Sequence, residues 1–282
     1  MSEALLIVTD MDGTLLNHHD YQFDAVMPTL AELEHKQLPV ILNTSKTLAE
    51  LKSWVEKLDI KHPFIVENGS AIFIPLGYFP DTAFDGVIVD KQSFEGYHVV
   101  LLGESILTLA AFMLQHKPQA IDFSSCSIEQ AMQLTGLDKQ QAAEAQDRQF
   151  SIPLSFDNDI KRESFAELAQ HAGLGVLEGG RFLHILGKTD KGLATRRLKQ
   201  LYEAAYQRSY AVIALGDSPN DEAMLNEADI AVVVNSPSSD RLQPAVKQLI
   251  RTQQQAPRGW SEGVQDALQL IQTEIATGTS NG

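Results

Sequence analysis

The sequence has few of the features that would place it outside a reducing, aqueous compartment. Cys126 is the only cysteine among 282 residues, so no disulfide can form within the chain. No run approaches the ~20 apolar residues of a membrane-spanning helix. The apolar start Ala4–Val8 is short and lacks a basic leader, so we expect no signal peptide. These absences predict a cytoplasmic protein with no membrane partner.

Basic residues are also scarce. The chain has 22 Lys and Arg against 37 Asp and Glu, which gives a net charge of −15. A protein of this charge is repelled by phosphate backbones, so we expect no nucleic-acid partner. A small anionic substrate is still compatible with the composition, because a metal and a few cations can reverse the field inside a pocket.

Short apolar runs alternate with helix-like stretches at both ends of the chain. Strands that are apolar throughout and alternate with helices predict a parallel sheet covered on both faces. The runs are Leu5–Val8, Pro39–Leu42, Pro63–Val66, Tyr210–Leu215 and Ile230–Val234.

The middle of the chain has a different pattern. Its strand candidates, which include Gly175–Leu186, are of mixed polarity, and a long helix is predicted over Ile128–Arg148. Mixed polarity is typical of a sheet with one open face. We therefore predict an α+β insert at residues 84–187 within a discontinuous α/β core of residues 1–83 and 188–282.

Polar clusters follow the apolar runs of the core. They are Asp10 to Thr14, Asn43 to Ser45, a lysine at 188–191, and Gly216 to Asp221. Open α/β sheets bind ligands at the edge formed by the carboxyl ends of their strands. Carboxylates there can bind Mg²⁺, and one can act as a nucleophile that forms an aspartyl-phosphate. The set suits phosphoryl transfer.

The same clusters resemble the motifs of the haloacid dehalogenase-like superfamily. DMDGT at 10–14 matches the first motif, Thr44 the second, Lys191 the third and GDSPND at 216–221 the fourth. The resemblance spans the core in the right order. It implies a Rossmann-like parallel-sheet hydrolase core with an inserted α+β cap domain that sets substrate specificity.

The resemblance also implies a role for each residue. Asp10 attacks phosphorus, and Asp12 protonates the leaving oxygen and then activates water. Thr44 hydrogen-bonds the phosphoryl group, and Lys191 neutralises charge. The implied cofactor is Mg²⁺. The implied ligands of this ion are Asp10, the backbone carbonyl of Asp12, and Asp217. Asp221 and Asn220 are implied to orient those ligands.

Simpler interpretations of these residues stay open at this point. Asp10 could be a helix cap, and Thr44 or Ser45 could cap the helix predicted from Leu48. Asp221 could be an acid on a helix surface. Lys188 competes with Lys191 for the third motif, although Lys191 is followed by a better match to the helix start of the family.

The position of the insert matches the superfamily members with a large α/β cap. These include Cof-type sugar phosphatases, sucrose-phosphate phosphatases, phosphomannomutases and mannosyl-3-phosphoglycerate phosphatases. Several segments resemble the last group most. They are ILNTSKT at 41–47, FIVENGSAIFIP at 64–75, RESFAEL at 162–168, GGRFLHILGKTDKG at 179–192 and RGWSEGV at 258–264.

That group implies a small phosphorylated substrate that carries a phosphate, a carboxylate and a sugar. Cations and hydroxyl partners in the cap would have to recognise the last two. The predicted substrate-binding residues are Thr44, Ser45, Lys46, Arg162, Ser164, Arg181 and His184. Another sugar phosphatase, a phosphomutase-like phosphotransferase and a non-catalytic binding protein are the alternatives, and the sequence does not indicate an oligomeric state.

Overall fold

The structure is a computed structural model, and it describes residues 4–86, 91–179 and 182–278. The described strands, in chain order, are β1 (Ala4–Thr9), β2 (Val40–Leu42), β3 (Phe64–Val66), β4 (Ala71–Pro75), β5 (Lys91–Phe94), β6 (Tyr97–Leu101), β7 (Ala120–Asp122), β8 (Ser151–Phe156), β9 (Gly175–Gly179), β10 (Phe182–Leu186), β11 (Tyr210–Gly216), β12 (Ile230–Asn235) and β13 (Gln248–Gln255). The α-helices are α1 (Met27–His35), α2 (Leu48–Lys57), α3 (Ile106–His116), α4 (Ile128–Thr135), α5 (Lys139–Gln146), α6 (Asp159–His171), α7 (Lys191–Tyr206), α8 (Glu222–Asn226) and α9 (Arg258–Gly278).

A five-stranded sheet forms the centre of the first of two compact units, which comprises residues 4–44, 77–86 and 195–278 of the described chain. Its strand order is β13-β12-β11-β1-β2, and every neighbouring pair is parallel. The strands of this sheet lie in the core, where the apolar side chains of Ile7, Ile41 and Ile213 are completely buried. The predicted α/β architecture with a parallel sheet is confirmed.

The third apolar run does not belong to this sheet, so that part of the prediction is wrong. β3 pairs antiparallel with β4. Glu67, Asn68 and Gly69 follow β3 with φ values of 48°, 59° and 91°. These left-handed conformations reverse the chain at once, and a strand that returns after a tight turn can pair only in the antiparallel sense.

The second unit comprises residues 45–76, 91–179 and 182–194 of the described chain and contains two antiparallel sheets. Their strand orders are β3-β4-β6-β5 and β7-β8-β10-β9. Leu109 of α3 and Phe165 of α6 pack with Leu183 and Ile185 of β10 on one face of the second sheet. The contacts therefore group residues 45–76 and 188–194 with the middle of the chain. The specificity cap at 84–187 stays a prediction.

Two predicted elements of the middle region are each divided. The helix predicted over 128–148 is broken between α4 and α5, because Gly136 ends α4 with a φ of +80° and Asp138 caps α5 through the backbone N–H of Gln141. The strand predicted over 175–186 is the antiparallel pair β9 and β10. Within the described residues, no helix combines the length and the apolar character needed to cross a bilayer.

Candidate active site

Three acidic side chains meet at the carboxyl ends of β1 and β11 in the first unit. These strands are neighbours, and Thr9 of β1 pairs with Leu215 of β11. Asp10 and Asp217 therefore leave the sheet side by side. Asp10, Asp217 and Asp221 each place one carboxylate oxygen within 4.8 Å of the others. All three are buried, so the sheet topology converts residues more than 200 positions apart into one acidic cluster.

Two glycines make this close approach possible. Gly13 has a φ of +83°, and a Cβ there would lie 2.6 Å from Asp217 Oδ2. A Cβ on Gly216 would lie 2.5 Å from Asp221 Cβ. Any larger residue would push a carboxylate away, and Gly13 also has a backbone conformation that L side chains rarely adopt. The glycines of both motifs are thus required by the packing of the acids.

Hydrogen bonds orient two of the acids. Thr14 Oγ1 donates to Asp217 Oδ1 at 2.9 Å. Asp221 Oδ2 accepts the backbone N–H groups of Asp217 and Ser218 at 3.0 and 3.1 Å. Asp221 is completely buried, which contradicts its interpretation as a surface acid. Its carboxylate instead fixes the loop that carries Asp217.

The donor set of the cluster fits a divalent cation. Three buried carboxylates repel one another, and a bound cation removes that repulsion. Carboxylate oxygens are the ligands that Mg²⁺ prefers. Asp12 lies in the turn after β1, where Gly13 N–H donates to Leu16 O and Leu15 N–H donates to Met11 O. Its predicted carbonyl ligand and its acid–base role stay predictions.

The second motif follows β2. Asn43 and Thr44 are completely buried, and Asn43 Nδ2 donates to Thr195 Oγ1 at 3.1 Å. The helix that follows is capped by Thr47, whose Oγ1 accepts the N–H of Glu50 at 3.1 Å. The cap interpretation of Thr44 and Ser45 is therefore wrong. The phosphate-binding role of Thr44 stays a prediction.

The two candidate lysines differ in burial. Lys191 is the first residue of α7 and is completely buried, whereas Lys188 is exposed. A buried ammonium is rare unless a counter-charge compensates it. Asp190 Oδ1 accepts the N–H of Leu193 at 2.7 Å and so fixes the start of α7. The burial favours Lys191 over Lys188 for the third motif.

The predicted substrate residues of the second unit do not share one surface. Arg162 and Ser164 lie on α6, and Arg162 pairs with Asp159 at 3.2 Å and with Glu178 at 3.7 Å. His184 lies on the opposite face of its sheet, because side chains alternate along a strand and its neighbours Leu183 and Ile185 pack towards α6. Arg181 lies outside the described residues.

His184 and Lys46 are both buried. Burial, together with the nearby charge of Arg148, lowers the pKa of His184 to about 3. His184 Nδ1 has no hydrogen-bond partner among the described residues. A neutral imidazole of this kind can bond a hydroxyl group but supplies no positive charge. Lys46 Nζ lies 3.6 Å from Glu50 Oε1, so part of its charge is already compensated.

A buried ion-pair network in the second unit was not predicted from the sequence. Glu67 Oε2 accepts Ser151 Oγ at 2.6 Å and lies 3.7 Å from Arg148 Nη1. Arg148 also donates two hydrogen bonds to the carbonyl oxygen of Ser45, at 3.2 and 3.0 Å. Burial raises the pKa of Glu67, and Arg148 opposes that rise.

This network fixes the residues that follow Thr44. The carbonyl of Ser45 is held by Arg148, and the carbonyl of Lys46 accepts the backbone N–H of Glu67 at 3.0 Å. In the sequence, the one sign of this network was the segment ENG at 67–69. That segment belongs to the stretch at 64–75 that resembles the phosphatase group, but no role was assigned to it.

Known proteins resemble the chain over almost its whole length. A family model described as haloacid dehalogenase-like hydrolase matches residues 7–257. A glucosyl-3-phosphoglycerate/mannosyl-3-phosphoglycerate phosphatase of Persephonella marina is 32% identical, over 95% of this chain and 98% of that protein. A mannosyl-3-phosphoglycerate phosphatase of Pyrococcus furiosus is 34% identical, over 81% of this chain and 90% of its own length.

A solved structure supports the same fold. The haloacid dehalogenase-like hydrolase from B. subtilis superposes with a TM-score of 0.61 at 20% identity, covering 92% of this chain and 96% of that one. The parallel sheet with acids at its carboxyl edge defines the class as an open α/β fold with a ligand site at that edge. The chain belongs to the haloacid dehalogenase-like hydrolase family and is a phosphatase.

Proposed function

We propose that the protein hydrolyses mannosyl-3-phosphoglycerate to mannosylglycerate and phosphate. The observation that carries this proposal is the buried cluster of Asp10, Asp217 and Asp221, whose carboxylate oxygens lie within 4.8 Å of one another. The relatives that match over most of the chain are named for this substrate. The cluster supports the chemistry, and the relatives support the substrate.

The proposed reaction has two steps at phosphorus. Asp10 attacks the phosphorus and forms an O–P bond while the bond from phosphorus to the glycerate oxygen breaks. Asp12 gives its proton to that oxygen. Asp12 then takes a proton from water, the water oxygen bonds to phosphorus, and the bond to Asp10 breaks to release phosphate. Thr44 and Lys191 bind the phosphoryl oxygens and offset their charge.

The proposed cofactor is Mg²⁺, held by Asp10, the carbonyl of Asp12 and Asp217, with Asp221 in the same acidic set. When bound, the ion supplies positive charge that offsets the phosphoryl oxygens and the acids. Thr14 and the backbone N–H groups that Asp221 accepts keep the carboxylates in place.

Substrate recognition is proposed to involve the second unit. The neutral imidazole of His184 suits a sugar hydroxyl, while Lys46 and the predicted Arg162 and Arg181 carry the positive charge that a carboxylate needs. Ser45 and Ser164 complete the predicted set. The cap at 84–187 is the proposed specificity domain, and the cytoplasm is the proposed location.

Glucosyl-3-phosphoglycerate is a second candidate substrate. It is favoured by one specific observation, which is that the relatives of Persephonella marina and Methanococcoides burtonii are named for both the glucosyl and the mannosyl compound. The two substrates differ only in the sugar. A hydroxyl partner such as His184 is therefore the kind of group that would distinguish them.

The experiment is phosphate release from a panel of phosphorylated metabolites, with and without Mg²⁺. The panel contains both glycosyl-3-phosphoglycerates, plain hexose phosphates and 3-phosphoglycerate. We expect the highest kcat/KM with a glycosyl-3-phosphoglycerate and little release after chelation. A strong preference for a plain hexose phosphate would favour a Cof-type or sucrose-phosphate-like phosphatase. Isomerised sugar phosphate without release of phosphate would indicate a phosphomutase.

A further inference from the structure

Two buried hydrogen bonds connect the last helix of the first unit with the backbone of Asp10. Trp260 Nε1 of α9 donates to Thr9 Oγ1 at 3.0 Å. Thr9 Oγ1 donates in turn to the carbonyl oxygen of Asp10 at 2.7 Å. We propose that Trp260, acting through Thr9, is a positioning residue for Asp10. This inference rests on the role of Asp10 proposed above.

The direction of both bonds follows from the available donors. An indole N–H can only donate, and a hydroxyl group has a single hydrogen. Because Trp260 occupies the acceptor side of Thr9 Oγ1, the hydroxyl hydrogen points to the carbonyl of Asp10. On the other side, the N–H of Asp10 donates to Leu215 O at 3.0 Å. The peptide groups before and after the Asp10 Cα are therefore both fixed.

The start of α9 is itself fixed against the sheet. A Cβ on Gly259 would lie 2.0 Å from the carbonyl oxygen of Gln254, and a Cβ on Gly263 would lie 2.4 Å from Val232 Cγ1. The Glu262 carboxylate accepts the N–H groups of Gln253 and Gln254 at 2.8 and 3.0 Å. The segment RGWSEGV thus holds the indole at a defined distance from β1.

A positioning role predicts a specific kinetic effect. Trp260 and Thr9 are completely buried, and the indole hydrogen and the hydroxyl hydrogen are both used in the chain of bonds to Asp10 rather than offered to a substrate. Their loss would change the orientation of Asp10, and misplacement of a reacting group lowers kcat without weakening ground-state binding to the same degree. A tryptophan that only fills the core would lower the thermal stability when replaced but would leave kcat unchanged.

Three variants separate these two roles. Thr9→Val keeps the shape of the side chain and removes the hydroxyl, so both bonds are lost. Thr9→Ser keeps the hydroxyl and removes only a methyl group. Trp260→Phe keeps an aromatic ring and removes the N–H. Trp54→Phe is the matched control, because Trp54 is the other tryptophan of the chain and lies on α2 of the second unit.

The first measurement is kcat and KM for phosphate release, together with the melting temperature of each variant. We expect Thr9→Val and Trp260→Phe to lower kcat about tenfold with KM within about twofold. Thr9→Ser and Trp54→Phe should retain the wild-type kcat. The double variant Thr9→Val/Trp260→Phe should be no slower than Thr9→Val alone, since both changes break one chain of bonds.

The second measurement does not need turnover. In the Trp54→Phe protein, Trp260 is the only tryptophan, so its emission reports on this chain of bonds. Addition of Mg²⁺ should change that emission, and the change should be lost when Thr9→Val is added. If the wild type releases no phosphate from any substrate, the proposed function fails, and the fluorescence result still decides the inference.

Two results would overturn the positioning role. One is an active wild type in which Thr9→Val and Trp260→Phe keep kcat within twofold while their melting temperatures fall. The other is a Trp260 emission that responds to Mg²⁺ equally with and without the Thr9 hydroxyl, or that does not respond at all. Either result would leave Trp260 with a packing role alone.

Discussion

The two units differ in how their sheets place polar side chains that are distant or close in sequence. In the first unit, the strands of the sheet are parallel, so all of their carboxyl ends lie at one edge. Asp10 and Asp217 meet there although 206 residues lie between them in the chain. In the second unit, the strands are antiparallel, and Arg162 and His184 lie on opposite sides of one sheet although they are close in sequence.

The difference shows why short motifs predict one region better than the other. In a parallel sheet, the position of a residue after its strand is enough to place it at the ligand-binding edge. In an antiparallel sheet, the position depends on the register and on the face, and a shift of one residue reverses the face. Mutations that separate chemistry from packing can test this contrast.

The largest effect is expected for Asp10→Asn in the first unit. The amide cannot act as the nucleophile, so we expect kcat to fall by about 10⁴-fold or more with the fold retained. The measurement is phosphate release together with a thermal melt. Asp20→Asn is the control, because Asp20 is an exposed acid ten residues further along the chain. Near-wild-type activity of the Asp10 variant would show that another group attacks phosphorus.

Glu67→Gln is expected to have the next largest effect, which is a loss of unfolding free energy. The change leaves the guanidinium of Arg148 buried without its counter-charge, which costs about 3 kcal/mol of unfolding free energy. Urea denaturation measures this loss. Glu95→Gln serves as the control, because Glu95 pairs with Lys52 at the surface and such pairs contribute about 0.5 kcal/mol. Equal losses in the two variants would mean that the buried network is not important for stability.

The next effect is a pH dependence of stability that arises from His184. The folded state keeps this imidazole neutral down to a pKa of about 3, while the unfolded chain takes up a proton below about 6.5. The unfolded state therefore binds more protons in this window, and stability falls as the pH decreases from 6.5 towards 3, by up to about 1.4 kcal/mol per pH unit.

His184→Gln should remove this part of the pH dependence, as measured by urea denaturation between pH 4 and pH 7, where ~1.4 kcal/mol per unit is the upper limit. His171→Gln is the control, because His171 is exposed on α6. If both variants keep the slope of the wild type, protonation of His184 does not limit the stability of the second unit.

The smallest effect on stability is expected for Arg162→Ala. Its ion pairs with Asp159 and Glu178 involve acids that are mostly exposed, so the unfolding free energy should change by less than about 0.5 kcal/mol. The same variant tests substrate recognition, with Lys161→Ala as the neighbouring control. A selective increase of KM in the Arg162 variant would assign this residue to the substrate carboxylate. An unchanged KM would leave it as a surface residue of α6.

Sequence alone determined the parallel sheet, the motif acids and the enzyme class. Apolar runs followed by Asp10 and by Asp217 are local signals, and parallel topology turns them into a site without further information. The residues after Lys191 favoured it over Lys188 for the third motif, and its burial is consistent with that choice, which stays a prediction.

Tertiary structure decided the rest, because these features depend on contacts between distant segments. The pairing of β3 follows from three left-handed residues, 67 to 69, whose conformation no apolar pattern reports. The cap of α2 is Thr47 rather than Thr44, and only the backbone geometry shows it. Glu67 meets Arg148 and Trp260 reaches Thr9 across 81 and 251 positions of the chain. Burial of these polar groups requires partners, and only the folded chain determines which partners they have.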